Sequence, residues 1–241
     1  MTTRSDAADI GRLLAWAARP KETPARNDDY HRLISRYRND PDFAQMTDAV
    51  FAGAGMHLNV DEREGAIVVA APDSPLRLTL GDVMKRAGSF QRAAIGAAIL
   101  AIASTAYPEP SMLDDPDRMA VFTTRSVVEL LDRAAAAYAD NSQSDGSVDD
   151  DLAEAWRAWN QLAPGRPNAQ RHSAADRFGL VIRVCKVLVD AGFLTSRGDL
   201  EGGAWLARPR FRHAVTSMAE DSDLYIIVNG LTETENTDEH T

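Results

Sequence analysis

The chain has 241 residues and a net charge of −10, and its hydrophobic share of 44% is ordinary for globular proteins, so it is long enough for two domains with separate cores. Its single cysteine, Cys185, excludes an internal disulfide and favours a reducing compartment. The N-terminus lacks the pattern of a signal peptide, and the most apolar run, residues 93–103, is well short of the roughly 20 residues of a membrane helix. These features predict a cytoplasmic protein that does not enter a membrane.

The charge is unevenly distributed along the chain. Residues 166–213 contain nine Arg or Lys against four acids, a net charge of +5, so the rest of the chain carries −15. Residues 140–154 hold six acids and no base, and the tail from Glu220 holds seven acids and no base. Such a chain is not a general DNA coat, but a local basic face could still contact phosphates.

The first half of the sequence predicts helices followed by an antiparallel hairpin. Residues 1–27 hold a short amphipathic piece and then two prolines, which fits either a docking helix or a loosely held lead. Asp28-Asp29 is suited to cap a helix, and Pro41 to open the next one. Alternating apolar residues on both sides of a turn at residues 61–65 predict a hairpin. A third short strand at residues 76–80, a helical segment from Asp82 and a longer helix at 89–105 complete this half.

The second half predicts further helices and another hairpin. The prolines in Tyr107-Pro108-Glu109-Pro110 forbid a continuous helix and mark the predicted domain boundary. The stretch from Asp176 to Val215 is typical of a helix, a turn and a hairpin, because apolar residues recur at helical spacing until Gly192 ends the helix. The other predicted elements are helices at 124–138, 149–162 and 209–218, a strand at 224–228 and an acidic, disordered end.

A helix, a turn, a hairpin and a basic segment in this order are typical of a winged helix-turn-helix core. Because the first half has a similar order, the expected fold class is mainly α with small antiparallel β hairpins (α+β), arranged as tandem winged helix-turn-helix domains. The predicted organisation is an N-terminal segment at 1–27, a first winged-helix domain at 28–107, a second at 108–230 and an acidic disordered tail at 231–241.

Motifs that would carry catalysis are missing from the sequence. There is no phosphate-binding G-x-x-x-x-G-K-[ST] loop, no G-x-S-x-G nucleophile elbow and no H-E-x-x-H metal motif. The five histidines have no ligand spacing, and the acidic runs at 114–117 and 149–151 lack the glycine and distal glutamate of a calcium loop. The sequence therefore predicts no enzyme, no catalytic residue, no cofactor and no metal.

Three features are candidates for binding. The hairpin turn Glu62-Arg63-Glu64 is acidic, so the first unit is expected to bind protein rather than nucleic acid. Trp156, Trp159 and Trp205 could anchor an interface, although core packing is favoured for the first two. A basic set around the second hairpin could contact DNA phosphates or merely keep that surface solvated, with its last two members pairing internally. This set is Arg183, Lys186, Arg197, Arg208, Arg210 and Arg212.

The run DPDFAQMTDAVFAGAGMHLNVDEREGAIVVAAP, residues 40–72, contains a Leu-x-Val-Asp-Glu-x-x-Gly hairpin from Leu58 to Gly65. It resembles the first winged-helix domain of the MukE-like kite subunits of bacterial condensins. That group includes the MksE type and the equivalent subunit of the Wadjet plasmid-defence complex. The resemblance extends over residues 28–215 and includes the phrase from Val187 to Leu194. It departs from the usual pattern at Val50-Phe51-Ala52, which replaces the usual aromatic before the first glycine phrase, and at Ile67-Val68-Val69, which lacks the frequent aromatic.

The resemblance implies a non-enzymatic, nucleoid-associated accessory subunit. Such subunits form homodimers and clasp extended segments of the kleisin, here a MukF-like or MksF-like protein. Through the kleisin they help an SMC-type ATPase to entrap DNA, either in chromosome organisation or in plasmid defence. The alternative function is a winged-helix transcriptional regulator that binds DNA by itself. Its recognition helix would be residues 177–190, which offer Arg183 and Lys186 but no Asn or Gln to read bases.

Overall fold

The computed structural model describes residues 4–71, 74, 88–115, 118–141, 150–169, 172–173 and 175–221. Over these residues the chain is mainly helical and carries two small antiparallel sheets, which confirms the α+β prediction. The chain divides into one compact unit up to Leu78 and a second from Thr79. Among the helices described, none combines the length and the apolar composition that crossing a membrane requires.

The first unit consists of three helices followed by a hairpin. Each of the second and third helices begins where a polar side chain caps it: the Asn27 side chain accepts the N–H of Tyr30 at 3.0 Å, and the Asp40 side chain accepts that of Phe43 at 3.1 Å. Pro41 stands at the first helical position, as predicted. The elements are α1 (Arg4–Ala17), α2 (Asp28–Asn39), α3 (Pro41–Gly53), β1 (Met56–Asp61) and β2 (Gly65–Ala70).

The predicted hairpin is confirmed, with Met56 opposite Ala70 and Asp61 opposite Gly65. The Asp61 carboxylate accepts the N–H groups of Arg63 and Glu64, both at 2.8 Å, and so fixes the turn.

Residues 4–17 form a helix that contributes to the core of the first unit. Of the two possibilities for the N-terminal segment, a docking helix or a loosely held lead, the structure favours the helix, because Leu13 is completely buried. The buried residues of this core come from all five elements. They are Ile10, Leu13, Ala17, Tyr30, Leu33, Ile34, Phe43, Phe51, Met56 and Ala66.

Tyr30 connects helix α2 to the hairpin from the middle of this core. Its hydroxyl accepts the buried N–H of Ala66 at 2.6 Å, and its ring is fully buried. Gly65 passes so close that a Cβ there would lie 2.1 Å from the Tyr30 hydroxyl, at a φ of +82°. The glycine of the Leu-x-Val-Asp-Glu-x-x-Gly phrase therefore makes room for the tyrosine.

We expect Tyr30→Phe to lower the free energy of unfolding by about 1–2 kcal/mol, because the buried N–H of Ala66 would lose its acceptor. Chemical denaturation measures the change. Tyr37→Phe is the matched control, since the Tyr37 hydroxyl donates to Asp48 at 2.6 Å in an exposed bond that water can replace. Equal losses in the two variants would contradict a special role for the buried bond.

The second unit is larger and consists of helices around a three-stranded sheet. Short 3-10 turns occur at Pro110–Leu113 and Leu200–Gly202. Its helices are α4 (Ser89–Ala106), α5 (Thr124–Asn141), α6 (Asp150–Asn160), α7 (Arg177–Asp190) and α8 (Pro209–Asp221). Its strands are β3 (Val121–Thr123), β4 (Leu194–Ser196) and β5 (Ala204–Ala207).

The sheet of the second unit has the strand order β3-β5-β4, and both pairs are antiparallel. Leu206 on the central strand lies between Val121 on β3 and Thr195 on β4. The buried indole N–H of Trp205 donates to the Thr124 hydroxyl at 3.0 Å, which joins the central strand to the start of α5. The hairpin β4–β5 agrees with the predicted one, whereas β3 is too short to give a sequence signal.

The predicted domain boundary at residues 107/108 differs from the division of the molecule. Helix α4 was assigned to the first domain, but Ile95, Ala98 and Ile102 belong to the core of the second unit. The prolines at 108 and 110 end helix α4 and begin a 3-10 turn, so they mark the end of an element within one core rather than a linker. Residues of the five helices share this core with Phe122, Leu194 and Trp205.

Several predictions lie outside the described residues. These are the third strand at 76–80, the helical segment from Asp82, the strand at 224–228 and the tail at 231–241.

Candidate functional site

Helix α7 presents one apolar and one charged face, as its spacing predicted. Its N-terminus is fixed by Asp176, whose side chain accepts the N–H groups of Gly179 and Ser173, both at 2.6 Å. Arg183 and Lys186 are exposed on the opposite face. The buried face consists of Phe178, Leu180, Val181, Val184, Cys185 and Leu188.

The hairpin after α7 adds a third exposed base. Gly192, at a φ of +77°, ends the helix, and the N–H of Phe193 returns to the carbonyl of Leu188 at 2.8 Å. Arg197 follows β4, is exposed, and donates its backbone N–H to Ala204 at 2.8 Å. Arg183, Lys186 and Arg197 are therefore the exposed members of the predicted basic set.

The other three members do not extend this surface. Arg208 is half-buried, whereas only 6% of Arg210 and 7% of Arg212 are exposed. The guanidinium of Arg212 donates to the backbone carbonyl of Asp115, which ties α8 to the segment before β3. The prediction that Arg210 and Arg212 contact DNA is thus corrected by their burial: Arg212 pairs internally, as the alternative held.

An anchoring cluster that the sequence did not reveal holds α7 against α5 and α6. The carboxylate of Asp132 accepts the indole N–H of Trp159 and a guanidinium N–H of Arg177, each at 2.8 Å. The Arg177 guanidinium also lies over the Trp159 ring, 5.5 Å from its centroid. Because Arg177 is the first residue of α7, this cluster sets the direction from which Arg183 and Lys186 emerge.

The tryptophans of the second unit are core residues. Trp156 is 2% exposed, Trp159 is fully buried and Trp205 is 4% exposed. Core packing is confirmed for the first two, and burial also rules out Trp205 as an exposed interface anchor. Burial raises the pKa of the Cys185 thiol above its usual range, which agrees with its expected place in the core.

The hairpin of the first unit differs chemically from that of the second. Its turn carries the carboxylates of Asp61, Glu62 and Glu64, and Glu62 pairs with Arg38 of α2. Two of these acids are fixed by the fold, since Asp61 also caps the turn. Because the turn holds these three carboxylates and one base, Arg63, its own side chains are acidic overall.

In the same unit, a network of ion pairs joins α1 to α2. The guanidinium of Arg36 donates to Asp6 at 2.7 Å and to Asp9 at 2.9 Å, and it lies over the Phe43 ring at 4.1 Å. Burial would raise the pKa of Asp9, but the hydrogen bonds from Arg32 and Arg36 outweigh it and hold that pKa below its usual value. Asp6 and Asp9 are only 7% and 4% exposed, so this network is structural.

Acidic and metal-ligating side chains do not converge elsewhere in the part of the chain that the structure describes, where no group of three or more His, Cys, Asp or Glu could hold a metal ion. The charged binding features predicted from the sequence thus lie on two described surfaces, the basic face of α7 with Arg197 and the acidic turn of the first hairpin.

Comparison of the chain with protein-family models, with curated proteins and with solved structures found no match.

Proposed function

We propose that this chain is a non-enzymatic, kite-type accessory subunit of a bacterial SMC complex, which forms a homodimer and binds the kleisin. The observation that carries the proposal is the division into two units, each with helices followed by an antiparallel hairpin. This arrangement agrees with the resemblance of residues 28–215 to MukE-like subunits. The complex would act on DNA in chromosome organisation or plasmid defence.

The element order of the second unit supports a winged helix. Helix α4, strand β3, helix α5 and helix α7 precede the hairpin β4–β5, and β3 pairs with the returning strand β5. A winged helix places its strands in this way, with the third helix directly before the hairpin. Helix α6 is then an additional helix between the second and third helices of the motif.

The first unit supports the same interpretation with different boundaries. Helices α1, α2 and α3 supply the three helices, and β1–β2 supplies the hairpin. In this arrangement α1 takes the place that the predicted boundaries gave to α4. Its acidic turn favours a protein partner, whereas the exposed bases of the second unit favour contact with DNA inside the assembly.

Co-purification tests the proposal directly. The chain, with an affinity tag, would be co-expressed with each MukF-like or MksF-like kleisin encoded in the same genome. We expect a stable complex that survives gel filtration. A chain that elutes as an isolated monomer and leaves the kleisin behind would count against the proposal.

The alternative is a winged-helix regulator, which the exposure of Arg183, Lys186 and Arg197 favours. A regulator would bind one DNA sequence tightly by itself, whereas an accessory subunit would bind DNA weakly and with steep salt dependence. Gel shifts with a specific and a random duplex over a range of salt concentrations separate the two functions.

We expect the double variant Arg183→Ala/Lys186→Ala to weaken binding to any duplex and to reduce the slope of log K against log salt by about 2, since two phosphate contacts are removed. Gel shifts at 50–200 mM salt measure this, an interval over which phosphate contacts lose affinity steeply. Arg133→Ala, which removes an exposed base from α5, is the control. An unchanged slope in the double variant would place DNA contact elsewhere.

A further inference from the structure

Strand β3 is an edge strand with exposed apolar side chains. Among the described residues, four large hydrophobic side chains are markedly exposed, and two of them are Val121 of β3, at 62%, and Met119 just before it, at 65%. The other edge strand of the same sheet, β4, exposes the polar Thr195 and Ser196. Since polar or charged residues usually protect a sheet edge, the edge at β3 is the one that gains from a partner.

The backbone at this edge offers hydrogen-bonding groups at two positions. Ala120 accepts the N–H of Ala207 on β5 at 2.9 Å, so the even-numbered residues of this segment face β5. In an antiparallel ladder the odd-numbered residues face the other way, which directs the N–H and C=O groups of Met119 and Val121 outward.

The outward ladder ends at Thr123. There the Ser126 hydroxyl accepts the N–H of Thr123 at 3.2 Å and donates to its carbonyl at 2.8 Å. Two copies of the chain related by a two-fold axis use both remaining positions at once, because Met119 of each copy lies opposite Val121 of the other. Each opposite pair exchanges two backbone bonds, and Thr123 stays outside the paired region.

The side chains of this register match as well. Val121 lies beside the half-buried Leu206 of β5, on the face of the sheet opposite to the buried Phe122 and Trp205. In the paired copies this row continues from Leu206 and Val121 to Met119 of the second copy, because opposite residues share one face of a sheet. Apolar side chains that are exposed in one copy are therefore covered by those of the other.

A third exposed hydrophobic residue lies at the end of β3. Leu200 is 69% exposed and is followed by Glu201, whose carboxylate accepts the hydroxyl of Thr123 at 3.0 Å. Since the side chains of Thr123 and Val121 point to the same face, this contact holds the turn with Leu200 on that face. Antiparallel pairing brings this end of β3 toward Met119 of the second copy, so Leu200 extends the apolar patch.

Symmetry favours a second copy over a segment of a different protein. A different segment would have to carry two apolar residues at the same spacing, whereas a second copy carries them by identity. Two-fold pairing makes every contact twice and closes both apolar edges, and the joined sheet then ends at a polar β4 on either side. Three large side chains and a two-residue ladder from each copy suit a reversible dimer rather than an obligate one.

We propose that two copies of this chain pair through β3 in antiparallel register, with Met119 opposite Val121, so that two three-stranded sheets join into one. In each copy the helices pack on the face that carries Phe122, and the two-fold axis is perpendicular to the sheet. Both α7 helices therefore lie on the same side of the joined sheet. The homodimer belongs to the function proposed above, whereas this interface is argued from β3 itself.

Disulfide cross-linking of the full chain tests the register. Opposite residues of a hydrogen-bonded pair have Cα atoms about 5.5 Å apart, which suits a disulfide, whereas two copies of the same position are out of register. We expect a mixture of Met119→Cys and Val121→Cys chains to form a two-chain band on a non-reducing gel, about fivefold stronger than with either variant alone. Cys185 is buried and does not compete. Equal bands in the mixture and in the single variants would overturn the register.

Sedimentation over a range of concentrations tests the interface. Val121→Pro removes the outward N–H without removing a bond to β5, as prolines on edge strands do, and Val121→Thr keeps it. We expect Val121→Pro to weaken dimerisation about tenfold or more, and Val121→Thr less than about threefold. The double variant Met119→Lys/Val121→Lys, at two exposed sites, places like charges opposite each other and should be monomeric with an unchanged circular dichroism spectrum.

The outcomes separate this interface from the proposed function. A Val121→Pro chain as dimeric as the unsubstituted one would overturn the interface and leave a homodimer through another surface. An unsubstituted chain that is monomeric at every concentration would also overturn it, and co-purification with the kleisin then judges the rest of the proposed function. If that monomer binds the kleisin and Val121→Pro does not, the edge binds the kleisin and self-pairing is overturned.

Discussion

Replacing Arg36 by Met is expected to lower the free energy of unfolding of the first unit by about 3 kcal/mol, because the buried carboxylates of Asp6 and Asp9 would lose the guanidinium that they accept at 2.7 and 2.9 Å. Methionine keeps the apolar contact with the Phe43 ring, so the loss reports on the ion pairs. Urea denaturation followed by NMR through the separate indole N–H signal of Trp16, which stacks on Tyr30 at 5.6 Å, measures the transition of this unit.

Arg32→Met is the matched control for this variant. The Arg32 side chain is half exposed, and Asp9 would keep Arg36, so we expect a loss below about 1 kcal/mol. A loss in Arg32→Met as large as that in Arg36→Met would contradict the central place of Arg36 in the network.

The same network makes the stability of the first unit depend on pH. Because the pKa of Asp9 is lower in the folded chain than the value of 3.8 for an isolated side chain, its contribution is fully present above that value and is lost as the pH falls through the folded pKa. In Arg36→Met the Asp9 carboxylate keeps only the half-exposed Arg12 and Arg32, so its pKa is expected to be higher than in the unsubstituted chain. We therefore expect the difference between the variant and the unsubstituted chain to shrink as the pH falls toward 3.

Gly179→Ala is expected to be the most damaging small change in the second unit. A Cβ at this position would lie 1.7 Å from the backbone carbonyl oxygen of Ser173 and 2.6 Å from its carbon. A backbone carbonyl cannot rotate away as a side chain can, so the loop before α7 would have to move. That movement would strain the hydrogen bonds that Asp176 accepts from Ser173 and Gly179. We expect a loss of about 3 kcal/mol in the free energy of unfolding, measured by the fluorescence of Trp156, Trp159 and Trp205.

Gly96→Ala provides the control within the same unit. A Cβ at Gly96 would have no atom within 4 Å, and the residue lies inside helix α4. Alanine there is expected to stabilise the helix by about 0.5–1 kcal/mol. A destabilised Gly96→Ala, or a Gly179→Ala as stable as the unsubstituted chain, would show that the close approach to Ser173 does not constrain α7.

Local patterns predicted most of the elements correctly. Helix α7 and the hairpin β1–β2 were predicted from apolar spacing and turn residues, which act within a few positions along the chain. Strand β3 was not predicted, because three residues are too few to show an alternating pattern and its partner β5 lies about 80 residues further along the chain. The place of α1 in the core was not predicted for a similar reason. Its residues Asp6 and Asp9 are typical of an exposed helix, and only the structure shows that Arg36, on another helix, pairs with them.

The exposure of the basic set could be predicted only in part, and the reason is physical. Arg183 and Lys186 lie on a helix whose apolar face is unambiguous, so the opposite face had to be exposed. The exposure of Arg210 and Arg212 depends on how α8 packs against the segment at 110–115, which no local spacing reveals. Prolines likewise indicate where a helix ends, but they do not show which core that helix joins. For this reason α4 was assigned to the first domain, whereas its residues belong to the core of the second unit.

The central claim is that the chain is a dimeric subunit that binds the kleisin and catalyses no reaction. Light scattering on the gel-filtered mixture of the chain and a MukF-like or MksF-like kleisin from the same genome tests it most directly. We expect the chain alone at twice the 26.2 kDa of one copy, and a heavier complex that contains two copies once the kleisin is added. A chain that stays at 26.2 kDa with and without the kleisin would contradict the claim.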